Sequence, residues 1–211
     1  NHMQTRLTPE NYREVLGDLF EGGGGFCVNL SVDTSSLDIM KFMRELGVLQ
    51  EILPESGARE VDQLARLVAA ERDAALAPDA MRRMAALLPP IVPVAEAVAA
   101  RLRLSRAQRD RLTCVARRNI EDAGHPRGLA YSVGIECALD RLLLAGADTS
   151  PLKGWEVPVF PLKGGEIVAR GVARGPEVAR LLQAIERRWI DEHFPSRARV
   201  VEMLDESLHD G

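Results

Sequence analysis

Apolar residues recur along most of this chain at the spacing of one face of a helix. Thr8 followed by Pro9 has the form of an N-cap and a first helical position, which predicts a helix over 9–20 that Glu21 to Gly25 breaks. Phe26 to Val32 alternates with period two, but a lone strand has no sheet to join in a helical chain, so the stretch reads as an extended linker. Leu37, Met40, Met43 and Leu46 mark a helix ended by Gly47, and Val48 to Leu53 continues to the break at Pro54. Further helices are expected over 58–74, 79–88, 92–102, 106–121 and 127–146, with Pro78, Pro89-Pro90, Ser105 and His125-Pro126 as punctuation. Residues 148–176 read as irregular. Val178, Leu181, Leu182, Ile185 and Trp189 then form one apolar stripe, and a last helix is expected over 196–209.

The fold class is therefore all-α, an irregular array of about eight to ten short packed helices. It divides into residues 1–34, a helix with a Gly-rich linker; residues 35–147, a helical body; and residues 148–211, a helical tail. No period of the length seen in solenoid repeats recurs.

Composition narrows the functional classes. The chain has 211 residues, 46% of them hydrophobic and 27% charged, with a formal net charge of −4, the profile of a globular protein with its own core. No apolar run is long enough to span a bilayer and no leader pattern opens the chain, so a cytoplasmic protein without a membrane partner is expected. Asn1-His2-Met3 reads as an expression remnant. Cys27, Cys114 and Cys137 are odd in number and far apart, which fits a reducing compartment, with Cys114 and Cys137 as small buried hydrophobes. His125, His193 and His209 are too scattered along the sequence to suggest a metal site.

Charge is uneven. Residues 1–100 carry 9 basic and 15 acidic side chains, whereas residues 101–127 carry 8 against 3 and residues 151–200 carry 9 against 6. In the helix after Ser105, Leu112, Val115, Ala116 and Ile120 fall on one side and Arg106, Arg111, Arg117 and Arg118 on the other. Such a face can hold a polyanion, and it serves equally as a solvated helix surface.

Catalytic signatures are sparse. No Asp-x-Asp pair is present to hold two metal ions, and Glu121-Asp122 and Asp205-Glu206 diverge on a helix. Gly22 to Gly25 lacks the Lys-Ser/Thr of a P-loop, and no Gly-x-Ser-x-Gly elbow occurs. The distinctive segment is 158–189, where Gly164-Gly165-Glu166 suits a turn into a short helix and Gly175-Pro176 opens a long one. With Lys163, Arg170 and Arg174 nearby, that helix start can receive a phosphate, or be a cap and a turn only.

Gly164-Gly165-Glu166-Ile167, Gly175-Pro176 and Leu181-Leu182, with Arg44 to Pro54, Ala77 to Leu88 and Leu102 to Ser105 upstream, resemble the C-terminal region of the bacterial CCA-adding tRNA nucleotidyltransferase and poly(A) polymerase family. The likeness covers about residues 35–195, and Thr8 to Leu16 is similar to the family's neck, with Asn11 and Val15 departing from its usual Arg and Glu. It implies an RNA-binding helical region that holds tRNA or another RNA 3′ end, inactive alone. A catalytic head absent from this chain would be its partner and would use Mg²⁺ with ATP or CTP. Under that reading no catalytic or metal-binding residue is carried here. Arg106, Arg117, Arg118, Arg127, Lys163, Arg170 and Arg174 become the RNA phosphate contacts. The alternative expectation is a non-catalytic helical scaffold for dimerisation or a protein partner. A self-contained enzyme would need a convergent acidic or nucleophilic cluster.

Overall fold

A computed structural model describes residues 35–209 of the chain. The expected helix at 9–20, its neck-like motif and the extended stretch at 26–32 lie outside the described residues. Among the described residues there are eleven α-helices, two short 3₁₀ turns and no strand. The all-α reading is therefore correct.

Helix α1 (Ser35–Glu45) and the single turn of α2 (Val48–Ile52) lead into the long α3 (Ala58–Asp73). They are followed by α4 (Ala80–Ala86), α5 (Val92–Arg101) and α6 (Arg106–Ala116). The starts follow local chemistry. Asp79 caps α4 by accepting the Arg82 backbone N–H at 2.9 Å, and Ser105 and Gln108 cap α6 reciprocally. Helix α6 stops short of the expected 121, because Asn119 Oδ1 accepts the N–H groups of Glu121 and Asp122 at 2.9 and 3.1 Å and opens a separate 3₁₀ turn, Ile120–Gly124.

The helix expected over 127–146 is two helices, α7 (Pro126–Val133) and α8 (Ile135–Ala145). Gly134 between them has φ 86°, a left-handed conformation that favours glycine and breaks the helical path. A second 3₁₀ turn spans Ser150–Leu152. The stretch expected to be irregular holds the one-turn helix α9 (Gly164–Val168), in which the Glu166 carboxylate accepts the Lys163 N–H. Helices α10 (Pro176–Asp191) and α11 (Arg197–His209) complete the fold.

Two main apolar cores result. The larger gathers α1 to α6 with α8: Met40, Leu49, Leu53, Leu64, Leu67, Met84, Leu87 and Leu112 are all essentially inaccessible. Each such side chain contributes about 1.5–3 kcal/mol of transfer free energy, so this cluster dominates the apolar stabilisation of the body. The second lies in the tail, where Ile167, Ile185, Trp189, Val200, Met203 and Leu204 interlock. A small cluster of Ala130, Ala138, Leu142 and Leu152 sits where α7 meets α8, and Tyr131 on α7 packs into the tail core.

The cysteines overturn one expectation. Cys114 on α6 and Cys137 on α8 form a disulfide, their Cα atoms 6.4 Å apart and 23 residues apart in sequence. They meet because α6 and α8 pack side by side, which neither helix's own periodicity reveals. They are therefore not separate thiols, and the reducing compartment loses the support drawn from cysteine spacing. No helix among the described residues is long and apolar enough to cross a membrane.

Candidate functional site

The seven cations expected to face a polyanion meet different fates. Arg106, Arg117, Lys163 and Arg174 are exposed. Arg170 is also exposed, with its guanidinium paired to Asp205 at 2.8 Å. Arg127 donates to the Pro151 carbonyl at 3.1 Å and lies 6.0 Å from the Trp155 ring centroid. Arg118 departs from the outward face assigned to it. It is half-buried and donates to the carbonyls of Val115 and Leu88, and burial with the charge of Arg141 pushes its guanidinium below the ordinary value.

Arg111, placed on the same outward face by periodicity, is the larger correction. Its Nε meets Asp140 Oδ2 at 2.7 Å, and its Nη atoms reach Asp79 at 3.0 Å and Glu136 at 2.9 Å. Asp140 is wholly buried and also binds Arg82 Nε at 2.7 Å. Arg82 in turn binds Glu71 at 2.9 Å, and the other Glu71 oxygen takes Arg83 at 2.9 Å. Three guanidinium groups and the carboxylates of Glu71, Asp79 and Asp140 thus interleave inside the body, joining α3, α4, α6 and α8. Burial pushes the Asp79 carboxyl up, but the Arg82 N–H and the Arg111 guanidinium outweigh it and hold the group below its usual value. Nearby, Arg141 clasps Asp122 with contacts of 2.8 and 2.6 Å and donates to the Arg117 carbonyl.

Acids do converge here, but each meets arginine, so the network positions helices and offers no vacant ligand. No group of three or more His, Cys, Asp or Glu side chains suited to a metal occurs among the described residues. Sequence reasoning missed this network. The signal was present in Met81-Arg82-Arg83-Met84-Ala-Ala-Leu-Leu88, where two charges interrupt a run whose every member is buried.

One open cleft among the described residues lies at the joint between body and tail. It encloses about 240 Å³ and is lined by His125, Arg127, Gly128, Pro151, Ile190 and His193, among others. The imidazoles of His125 and His193, far apart in sequence, stand 6.3 Å apart between ring centroids and nearly perpendicular. His125 sits immediately before Pro126 at the start of α7, and His193 lies just beyond α10. The two elements approach closely because Gly128 has no side chain: a Cβ there would lie 2.9 Å from Ile190 Cγ2. A shallower cleft runs between Gly164-Gly165 and the start of α10, with Arg174 on its rim.

Comparison with known proteins bears on the other end of the chain. The family model for the saccharopine dehydrogenase NADP binding domain matches residues 1–50. The homospermidine synthase of Blastochloris viridis is 59% identical over 49 residues, and that of Mesorhizobium japonicum is 53% identical over 49 residues. Each alignment covers 22% of this chain and 10% of the relative, so the chain spans about a tenth of the length of the curated relatives it matches.

These matches overturn the nucleotidyltransferase resemblance. The resemblance compared Thr8 to Leu16 with that family's neck and Arg44 to Pro54 with the segment after it, whereas residues 1–50 are similar to the saccharopine dehydrogenase NADP binding domain. With it go CCA addition and poly(A) synthesis, the RNA partner, the nucleotidyltransferase head, and Mg²⁺ with ATP or CTP. The non-catalytic scaffold alternative also lacks support.

The described part of the matched segment is α1 and α2, whose Met40, Met43 and Leu49 are buried in the body core. Neither helix brings a glycine-rich phosphate loop or a strand. By themselves these two helices do not make a dinucleotide site.

Proposed function

We propose that residues 1–50 contribute to binding NADP(H), and that the chain is a portion of a larger NADP(H)-dependent protein related to the homospermidine synthases. The observation that carries this reading is the match of the NADP binding domain to residues 1–50, supported by identities of 59% and 53% to two such enzymes. The body at 35–147 and the tail at 148–211 are then a helical adjunct. Burial of Met40, Met43 and Leu49 among Leu53, Leu64 and Leu67 ties the matched segment to that adjunct through one apolar core. A nucleotide held by the segment would then be felt mechanically by the body.

NADPH fluorescence tests the proposal. Titrating the chain into NADPH is expected to give a saturable change in emission, with NADH binding more weakly. Substitution of Gly24→Val with Gly25→Val in the Gly-rich run is expected to weaken the interaction, because a Cβ obstructs close backbone approach to a pyrophosphate. Absence of saturable binding by the unaltered chain would overturn the proposal.

A further inference from the structure

We propose that the cleft at the body–tail joint binds a small aromatic carboxylate, with Arg127 receiving its charge and the apolar walls its ring. Neither the NADP(H) reading nor the matched segment bears on this site. The cleft encloses about 240 Å³, below the roughly 300–1,000 Å³ of sites that take drug-sized molecules, so it suits a single ring with a short substituent.

The lining sets the sign of the ligand. Arg127, His125 and His193 face the cleft and no carboxylate lines it. The acids on the flanking elements are engaged elsewhere: Asp122 by Arg141, Asp148 by Ser150, and Glu192 by Arg188 and Arg199. Glu121 and Asp191 are exposed and stand outside the lining.

Arg127 is oriented before any ligand arrives. Its Nε donates to the Pro151 carbonyl at 3.1 Å and its guanidinium carbon lies 6.0 Å from the Trp155 ring centroid. The planar fork is thereby held at its inner nitrogen, and both Nη groups remain to meet the two oxygens of one carboxylate. Holding the fork in advance lowers the ordering cost of binding.

The other walls are apolar and flat. Pro126, Pro151, Ile190 and Phe194 supply them. Phe194 is fixed in place, its N–H bonded to the Trp189 carbonyl at 2.8 Å and its ring packed on Trp189 with centroids 4.9 Å apart. His193 is tied by its Nδ1–H to the Asp191 carbonyl at 3.0 Å and stands nearly perpendicular to His125, so the two imidazoles extend the ring-lined wall and do not converge on one point. A bare inorganic anion leaves these walls unfilled, and a neutral ring gains nothing from Arg127. An aromatic carboxylate uses both.

Fluorine NMR of para-fluorobenzoate titrated with the full chain tests the proposal. A saturable shift is expected, with a Kd of about 1 mM or tighter. The neutral para-fluorobenzamide, of the same shape, is expected to bind the unaltered chain at least about tenfold more weakly, a comparison that needs no variant to fold. Arg127→Gln is expected to weaken para-fluorobenzoate by a similar factor, and Arg174→Gln, on the rim of the other cleft, to leave it unchanged. No saturable shift, equal binding of the amide, affinity indifferent to Arg127→Gln, or displacement of the ring by an equal concentration of inorganic phosphate would overturn the proposal.

Discussion

Body and tail solve the problem of housing arginine in opposite ways. In the body, Arg82 and Arg83 are buried at 6% and 3% exposure, and their charges are answered within the core by Glu71 and Asp140. In the tail, Arg188 and Arg199 stay near solvent and pair with Glu192, Glu202 and Glu206 around an aromatic interior of Phe160, Trp189 and Phe194. Desolvated ion pairs rarely add net stability, yet removing one partner is severe, whereas surface pairs are screened and nearly dispensable. The body is therefore specified by polar geometry as well as apolar fit, and the tail by ring packing.

The largest expected effect is in the body. Asp140→Asn leaves Arg82 and Arg111 without their shared buried carboxylate and is expected to cost about 3–5 kcal/mol, read as a lowered midpoint in urea unfolding. Stability unchanged to within error would mean that the network is not desolvated in solution. In the tail the matching lesion is apolar. Trp189→Ala removes the ring against which Tyr131, Phe160 and Phe194 pack and whose Nε1 donates to the Pro195 carbonyl at 2.8 Å. A loss of about 3–5 kcal/mol is expected, with near-ultraviolet circular dichroism of the tail aromatics collapsing first.

Reduction of Cys114–Cys137 comes next. The bridge closes a loop of 23 residues between α6 and α8 and is expected to contribute roughly 2–4 kcal/mol, lost when unfolding is repeated with a reductant. The effect belongs to the body and should leave the tail's aromatic signals in place at low denaturant.

The smallest effect distinguishes the regions by pH. Burial, with the Glu186 carboxylate that accepts its hydroxyl, pushes Tyr131 from 10.0 up to about 12. A raised tyrosine favours the folded state while neutral: its contribution is complete below pH 10 and disappears as pH rises through about 12. Tyr131→Phe is expected to flatten that alkaline limb of the thermal midpoint.

Helix starts were legible because capping is local. Ser105, and Pro176 after Gly175, announce their helices within a few residues, and the apolar stripe from Val178 to Trp189 is the face that packs in the tail core. What failed was long-range. Periodicity put Arg111 outside because it saw α6 alone, while Asp140 lies 29 residues away on a helix that covers that face. The Cys114–Cys137 bridge and the His125–His193 pair escaped for the same reason, since each depends on how two elements cross. The resemblance failed differently: motifs spread over 35–195 suggested a family, whereas the similarity to known proteins lies in residues 1–50.

Native-state hydrogen exchange with and without NADPH probes the proposed coupling of a nucleotide-binding segment to the body through Met40, Met43 and Leu49. NADPH is expected to slow exchange in α1, α2 and the facing turns of α3, with α10 and α11 unaltered. Exchange unchanged throughout the chain at saturating NADPH, or slowed only in the tail, would contradict it.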